Sequence, residues 1–140
     1  MDGGTNRVVV VPCSGIGKTF GSVSREAAYA LVEDLRPETT RLAALALLVM
    51  GDEDSREAVR CQPTVTIDGC KLGCAAKMVR ECGGEVGEEI AVLDVYRRYR
   101  QYKPQGISEL NEGGLHLAQA LAEEAAQAVD RLAAGEATHG

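Results

Sequence analysis

Two stretches of this chain run an apolar segment straight into a cysteine. They are Val8-Val9-Val10-Val11-Pro12-Cys13-Ser14-Gly15 and Ile67-Asp68-Gly69-Cys70, and Cys74 follows Cys70 by four residues. A thiolate is both a nucleophile and a soft metal ligand. Cysteines that meet at strand ends therefore point first to a metal or redox site. Cys70 and Cys74 stand where a helix is predicted to begin, and free N–H groups and the helix dipole there favour the thiolate. Lys71 and Lys77 add positive charge nearby. Asp68 opposes it unless its carboxylate caps the helix or accepts a backbone N–H.

The elements that must position these thiols follow from pattern. The valine run from Val8 to Pro12 reads as a buried strand. Residues 19–35 place Ala27, Ala28, Leu31 and Val32 at helical spacing, and Pro37 marks the turn that follows. Residues 42–50 are ambiguous: their Ala and Leu content suits a helix, and their position suits a second buried strand ended by Gly51. A short polar helix is predicted over 54–61, a β-branched strand over 64–67, a helix over 71–82 closed by Gly83-Gly84, and a strand over 90–93. The clearest helix is the last, over about 115–134, where Leu117, Leu121, Ala125, Ala128 and Leu132 form one stripe. Strand and helix alternate throughout. The expected fold is a single three-layer α/β domain over 1–140, with a mostly parallel sheet of about four strands in the order 2-1-3-4 and helices on both faces.

In such a sheet ligands bind beyond the carboxyl ends of the strands. Cys13 and Cys70 end strands that neighbour each other in this order, about 5 Å apart. An i, i+4 spacing would set Cys74 about 5–6 Å from Cys70 on one helix face. The expected metal ligands are therefore Cys13, Cys70 and Cys74. Cys61 ends a helix that returns to the far edge, and Cys82 lies about 12 Å down the helix axis from Cys74; both read as structural. A fourth ligand is open between water, a partner's group, Asp94 at the end of the fourth strand, and residues near Met50, Asp52, Glu53 and Asp54 at the end of the second. His116 and His139 read as surface histidines.

Two further signals compete. Pro12-Cys13-Ser14-Gly15-Ile16-Gly17-Lys18-Thr19 approaches the phosphate-binding pattern G-x-x-x-x-G-K-[ST], between a strand and a helix as that motif requires. Pro12 stands in place of the first glycine and has no N–H to offer a phosphate. The weaker expectation is an anion nest at Gly15, Ile16, Gly17 and Lys18. The segment Tyr96-Arg97-Arg98-Tyr99-Arg100-Gln101-Tyr102-Lys103 carries three of the four tyrosines. It reads as a solvated segment with packed rings, or else as a dock for an acidic partner.

Composition bounds the rest. The 140 residues carry 15 basic and 21 acidic side chains, a net charge of −6 that argues against general nucleic-acid binding. With no Trp and one Phe the core must be aliphatic. Five cysteines is an odd number, unlike a secreted disulfide scaffold. No signal-peptide pattern or membrane-length apolar run is found. The expectation is a cytoplasmic protein with a protein partner, away from membranes; the oligomeric state is left open.

With Cys13-Ser14-Gly15, Ile67-Asp68-Gly69-Cys70, Cys74 and Lys77 in place, the chain from about Val8 to Asp94 resembles the DGC-domain family, described as zinc-binding. The resemblance implies a chelating role for Cys13, Cys70 and Cys74. The family's second cysteine falls near Leu48 here, which cannot ligate, so the resemblance implies three sulfurs completed by a carboxylate, water or partner group, or by Cys61. The functional expectation is a small zinc-binding protein that acts as an accessory carrier or sensor, with the question of enzymatic activity left open. Another soft metal such as Cu(I), or an iron–sulfur cluster, would suit the same thiolates. The alternatives are a thiol redox or sulfur-transfer enzyme using Cys13 with Cys70 or Cys74, and a phosphate-loop nucleotide binder.

Overall fold

A strand of four valines is stable only where both of its faces are covered, and β1 (Val8–Pro12) is buried along its whole length. The computed structural model describes residues 7–13, 19–69, 73–106 and 110–134. β1 lies inside a four-stranded sheet of order β2-β1-β3-β4, with β2 at Thr40–Leu42, β3 at Thr64–Asp68 and β4 at Val86–Ala91. All three pairings are parallel. The predicted α/β class and strand order 2-1-3-4 are borne out.

The alternation of side chains along the strands divides the core in two. Val8 and Val10 of β1, with Val65 and Ile67 of β3, face α1 (Thr19–Tyr29), α5 (Val92–Arg98) and α6 (Glu112–Ala133). Val9 and Val11 face α2 (Leu45–Met50), α3 (Glu53–Cys61) and α4 (Cys74–Glu81). On α6, the predicted stripe of Leu117, Leu121, Ala125, Ala128 and Leu132 is buried throughout. α1 continues into a π-helical turn, Ala30–Leu35, closed by the Arg36 N–H donating to the Leu31 carbonyl at 2.8 Å.

Three expectations are corrected. Residues 42–50 are not one strand: β2 ends at Leu42, in register with Val10, and α2 forms over Leu45–Met50. The amphipathic reading wins because Leu45 and Leu48 bury one face, while Gly51 ends the helix with φ at 88°. The fourth strand runs over Val86–Ala91, not 90–93, and α5 starts at Val92. The helix predicted over 71–82 starts at Cys74, after Gly73 in the left-handed region at φ 64°. Cys74 is thus its first residue, while Cys70 lies outside the described residues.

Candidate thiol site at the strand ends

Cys13 follows β1 directly and extends its ladder: its N–H donates to the Ile67 carbonyl at 2.8 Å. That bond fixes the side chain beside the end of β3, where it is 5% exposed. The Cys13 sulfur accepts the Gly69 N–H at 3.0 Å and lies 3.4 Å from the Ser24 hydroxyl. Ser24 donates its own hydrogen to the Gly21 carbonyl at 2.8 Å, so the thiol is the donor in that contact. A buried sulfur is thereby satisfied in both directions.

Gly69 is required by contact as well as by its N–H. A Cβ there would stand 2.8 Å from both the carbonyl carbon and oxygen of Phe20. Only a residue without a side chain lets β3 end against the backbone of α1.

Asp68, one residue earlier, is 2% exposed. One carboxylate oxygen accepts the Ala75 N–H at 2.8 Å and the other the Ala76 N–H at 3.4 Å. This is the helix cap that the residue types allowed. Burial pushes the carboxyl above its usual pKa range; the Ala75 and Ala76 N–H groups and the Lys77 charge pull it down, and the charge of Glu89 raises it further. Gly73 precedes α4 with no side chain to cap it, so Asp68 supplies what a local Ser, Thr, Asp or Asn would otherwise supply.

Cys74 is exposed at the first position of α4, and it is bonded to Ala75, which Asp68 holds. Cys74 thus adjoins the residue that Asp68 holds, and the Cys13 sulfur is tied to Gly69, the residue after Asp68. Cys70, the next residue along, lies outside the described residues, as do Gly15, Ile16, Gly17 and Lys18 of the expected anion nest. Among the described residues no three Cys, His, Asp or Glu side chains are grouped to hold a metal ion.

The other cysteines lie apart. Cys61 is exposed at the end of α3 and donates to Glu57 at 3.1 Å; that hydrogen bond pushes its thiol pKa up, away from the thiolate. Cys82 is buried with Val79 and Ala58. The carboxylates expected at the end of the second strand follow α2 instead. Asp52 caps α3 through Ser55, which draws its pKa down, while Asp54 pairs with Arg41 at 2.6 Å and Glu53 with Arg60 at 3.7 Å.

Asp94 lies in the first turn of α5, as a residue just past the fourth strand should. It lines a cavity of about 290 Å³ with Asp68, Glu89, Arg97, Ile90 and Leu93. Two of its carboxylates are already paired, Asp94 with Arg97 at 3.4 Å and Glu89 with Arg80 at 3.2 Å. The sequence reading missed Ser24 and Glu89, and placed Arg97 only in the basic aromatic segment. The absence of a capping residue just before α4 was a usable signal for Asp68; nothing local marked Ser24.

The basic aromatic segment folds as the end of α5 and a 3₁₀ turn, Arg100–Tyr102. Its rings pack: Tyr96 on Phe20 with centroids 5.4 Å apart, Tyr99 stacked on Tyr102 at 5.6 Å, and Tyr102 against His116 at 5.3 Å. His116 is on the exposed side of α6, as expected, and His139 lies outside the described residues. No helix among the described residues is long and apolar enough to cross a membrane.

The DGC domain model matches residues 9–113, which run from the second residue of β1 to the second residue of α6 and contain every thiol discussed above. No curated protein matches the chain, and no solved structure does. With three-quarters of its length inside that match, the chain belongs to the DGC-domain family.

Proposed function

We propose that this protein binds a soft metal ion, zinc first, through Cys13, Cys70 and Cys74, and serves as an accessory carrier or sensor. The observation that carries this reading is the Gly69 N–H held on the buried Cys13 sulfur at 3.0 Å. Contacts of that kind orient a sulfur ligand and offset its charge once the proton is gone. They join Cys13 to the segment that contains Cys70. The donor chemistry fits: thiolates suit zinc, Cu(I) and iron–sulfur clusters better than calcium or magnesium. A bound zinc would supply a closed structural tie between the ends of β1 and β3, or an open coordination position for a transferable ligand. Completion of the site by Asp94, water or a partner's group, and a cytoplasmic setting with a protein partner, belong to this proposal.

The same N–H contact would stabilise a reacting thiolate, which supports a second reading: a redox or sulfur-transfer enzyme with Cys13 as nucleophile. The burial of Cys13 weighs against it.

One experiment separates the two. The protein is purified anaerobically without chelator, its metals are measured by mass spectrometry, and its free thiols are counted before and after chelation. We expect about one equivalent of metal and three protected thiols released by chelator. Cys13→Ser, Cys70→Ala and Cys74→Ser each remove most of the metal; Cys61→Ser and Cys82→Ala leave it. Equal losses in Cys70→Ala and Cys82→Ala would overturn the metal reading. A metal-free protein with one fast-reacting thiol would establish the second.

A further inference from the structure

We propose that Asp68 is a positioning residue of the thiol site: its buried carboxylate ties the first turn of α4, and with it Cys74, to the strand end whose next N–H holds the Cys13 sulfur. The inference rests on the proposed thiol site and names the residue that sets the placement of Cys74 relative to Cys13.

An ordinary N-cap travels with its helix. Asp68 does not, because it belongs to β3, where it is in register with Ala91 of β4. Its neighbour Gly69 is pressed against the Phe20 and Gly21 backbone. The carboxylate thus grips α4 from a fixed point, with 2.8 Å to the Ala75 N–H and 3.4 Å to the Ala76 N–H. Gly73 cannot replace it, having no side chain and a φ of 64° that side chains rarely adopt. The Lys77 N–H, next in line, already donates to the Gly73 carbonyl at 2.9 Å. Without Asp68 the first turn of α4 keeps its packing through Ala75 and Val79 but loses its polar anchor to the sheet. Cys74, at the very start of that turn, is the thiol most displaced. Cys13 keeps its own contact, because Gly69 donates through the backbone.

The test is anaerobic cobalt(II) titration of the full chain, read by the thiolate-to-cobalt charge-transfer absorbance, with folding followed by circular dichroism. Wild type is expected to saturate with one cobalt. Asp68→Ala should bind about 10–100-fold more weakly, the usual effect of losing a group that orients a ligand. Asp68→Asn, which keeps an acceptor for the Ala75 N–H, should fall between. Asn111→Ala uncaps α6, where the Asn111 side chain accepts the Gly114 N–H at 2.8 Å, and controls for loss of stability alone; its cobalt affinity should equal wild type. Wild-type affinity in Asp68→Ala, or equal weakening in Asn111→Ala, overturns the inference. If Asp68→Ala does not fold, the folded Asp68→Asn decides: weaker binding supports the inference and wild-type binding ends it. No charge-transfer band in the wild type defeats the thiol-site reading itself and this inference with it.

Discussion

Gly69 does two things that no other residue could do together. Its N–H reaches the Cys13 sulfur, and its missing side chain lets that N–H come so close to α1. Alanine there would put a methyl group 2.8 Å from the Phe20 carbonyl, and backbone on both sides must move to relieve it. Overpacking of this kind costs about 1–3 kcal/mol. Gly69→Ala is therefore expected to lower the urea midpoint and, under the metal reading, to lower metal occupancy as well, because the N–H moves off the sulfur. A variant with wild-type stability would show that α1 yields freely and that the contact is not a constraint. Asp68 complements it by fixing α4 as Gly69 fixes Cys13. Three consecutive residues, Asp68, Gly69 and Cys70, thus combine an anchor, a close approach and a thiol.

At the level of elements, α6 is the longest helix and covers the face of the sheet opposite α4. Its N-terminus meets the 3₁₀ turn of the aromatic segment so closely that a Cβ at Gly113 would overlap the Tyr102 carbonyl. Helix propensity alone would favour alanine over glycine at that position by about 1 kcal/mol. The clash outweighs it, since relief requires α6 or the Tyr99–Tyr102 stack to shift, at about 1–3 kcal/mol. Gly113→Ala is expected to destabilise the fold and to weaken the near-ultraviolet dichroism of the tyrosines; a stabilised variant would contradict this packing. The stacked rings also account for the tyrosines of this segment without a ligand, whereas Arg100 and Lys103 add exposed positive charge to an acidic protein.

For the whole molecule, the bidentate pair of Arg36 and Asp130, at 2.7 and 2.8 Å, joins the end of the π-helical turn to the last part of α6. The Arg36 guanidinium holds the Asp130 carboxyl below its ordinary pKa range by hydrogen bond and charge. A carboxyl depressed on folding contributes stability that is present above the unfolded value, about 3.9, and is lost as pH falls through the folded value. Asp68 acts in the opposite direction, because burial raises its pKa and its ionisation opposes folding as pH rises. Asp130→Asn is therefore expected to flatten the acid limb of the melting curve below about pH 4 relative to wild type. The exposure of the pair keeps its effect at neutral pH small. An unchanged acid limb would show that the bond does not persist in solution.

The sequence by itself determined the fold class, and the expected strand order was settled by the pairing of the strands. The valine run of β1, the β-branched β3 and the α6 stripe each show a periodicity that only one element satisfies. It also singled out Cys13 as a strand-end thiol and separated Cys61 and Cys82 from it, because an element's direction sets which end a residue occupies. Short elements resisted. Residues 42–50 are apolar enough for either a strand or a helix, and only the register of Leu42 against Val10 and the burial of Leu45 and Leu48 decided between them. The start of α4 was set by Gly73 and by a carboxylate reaching Ala75 from another element, seven positions back along the chain. What tertiary structure alone decided was which groups face the sulfur of Cys13: the Gly69 N–H and the Ser24 hydroxyl come from segments 56 and 11 residues away. Local pattern encodes which side of an element is apolar, but the distance between two elements is a property of their packing, and a hydrogen bond depends on distance.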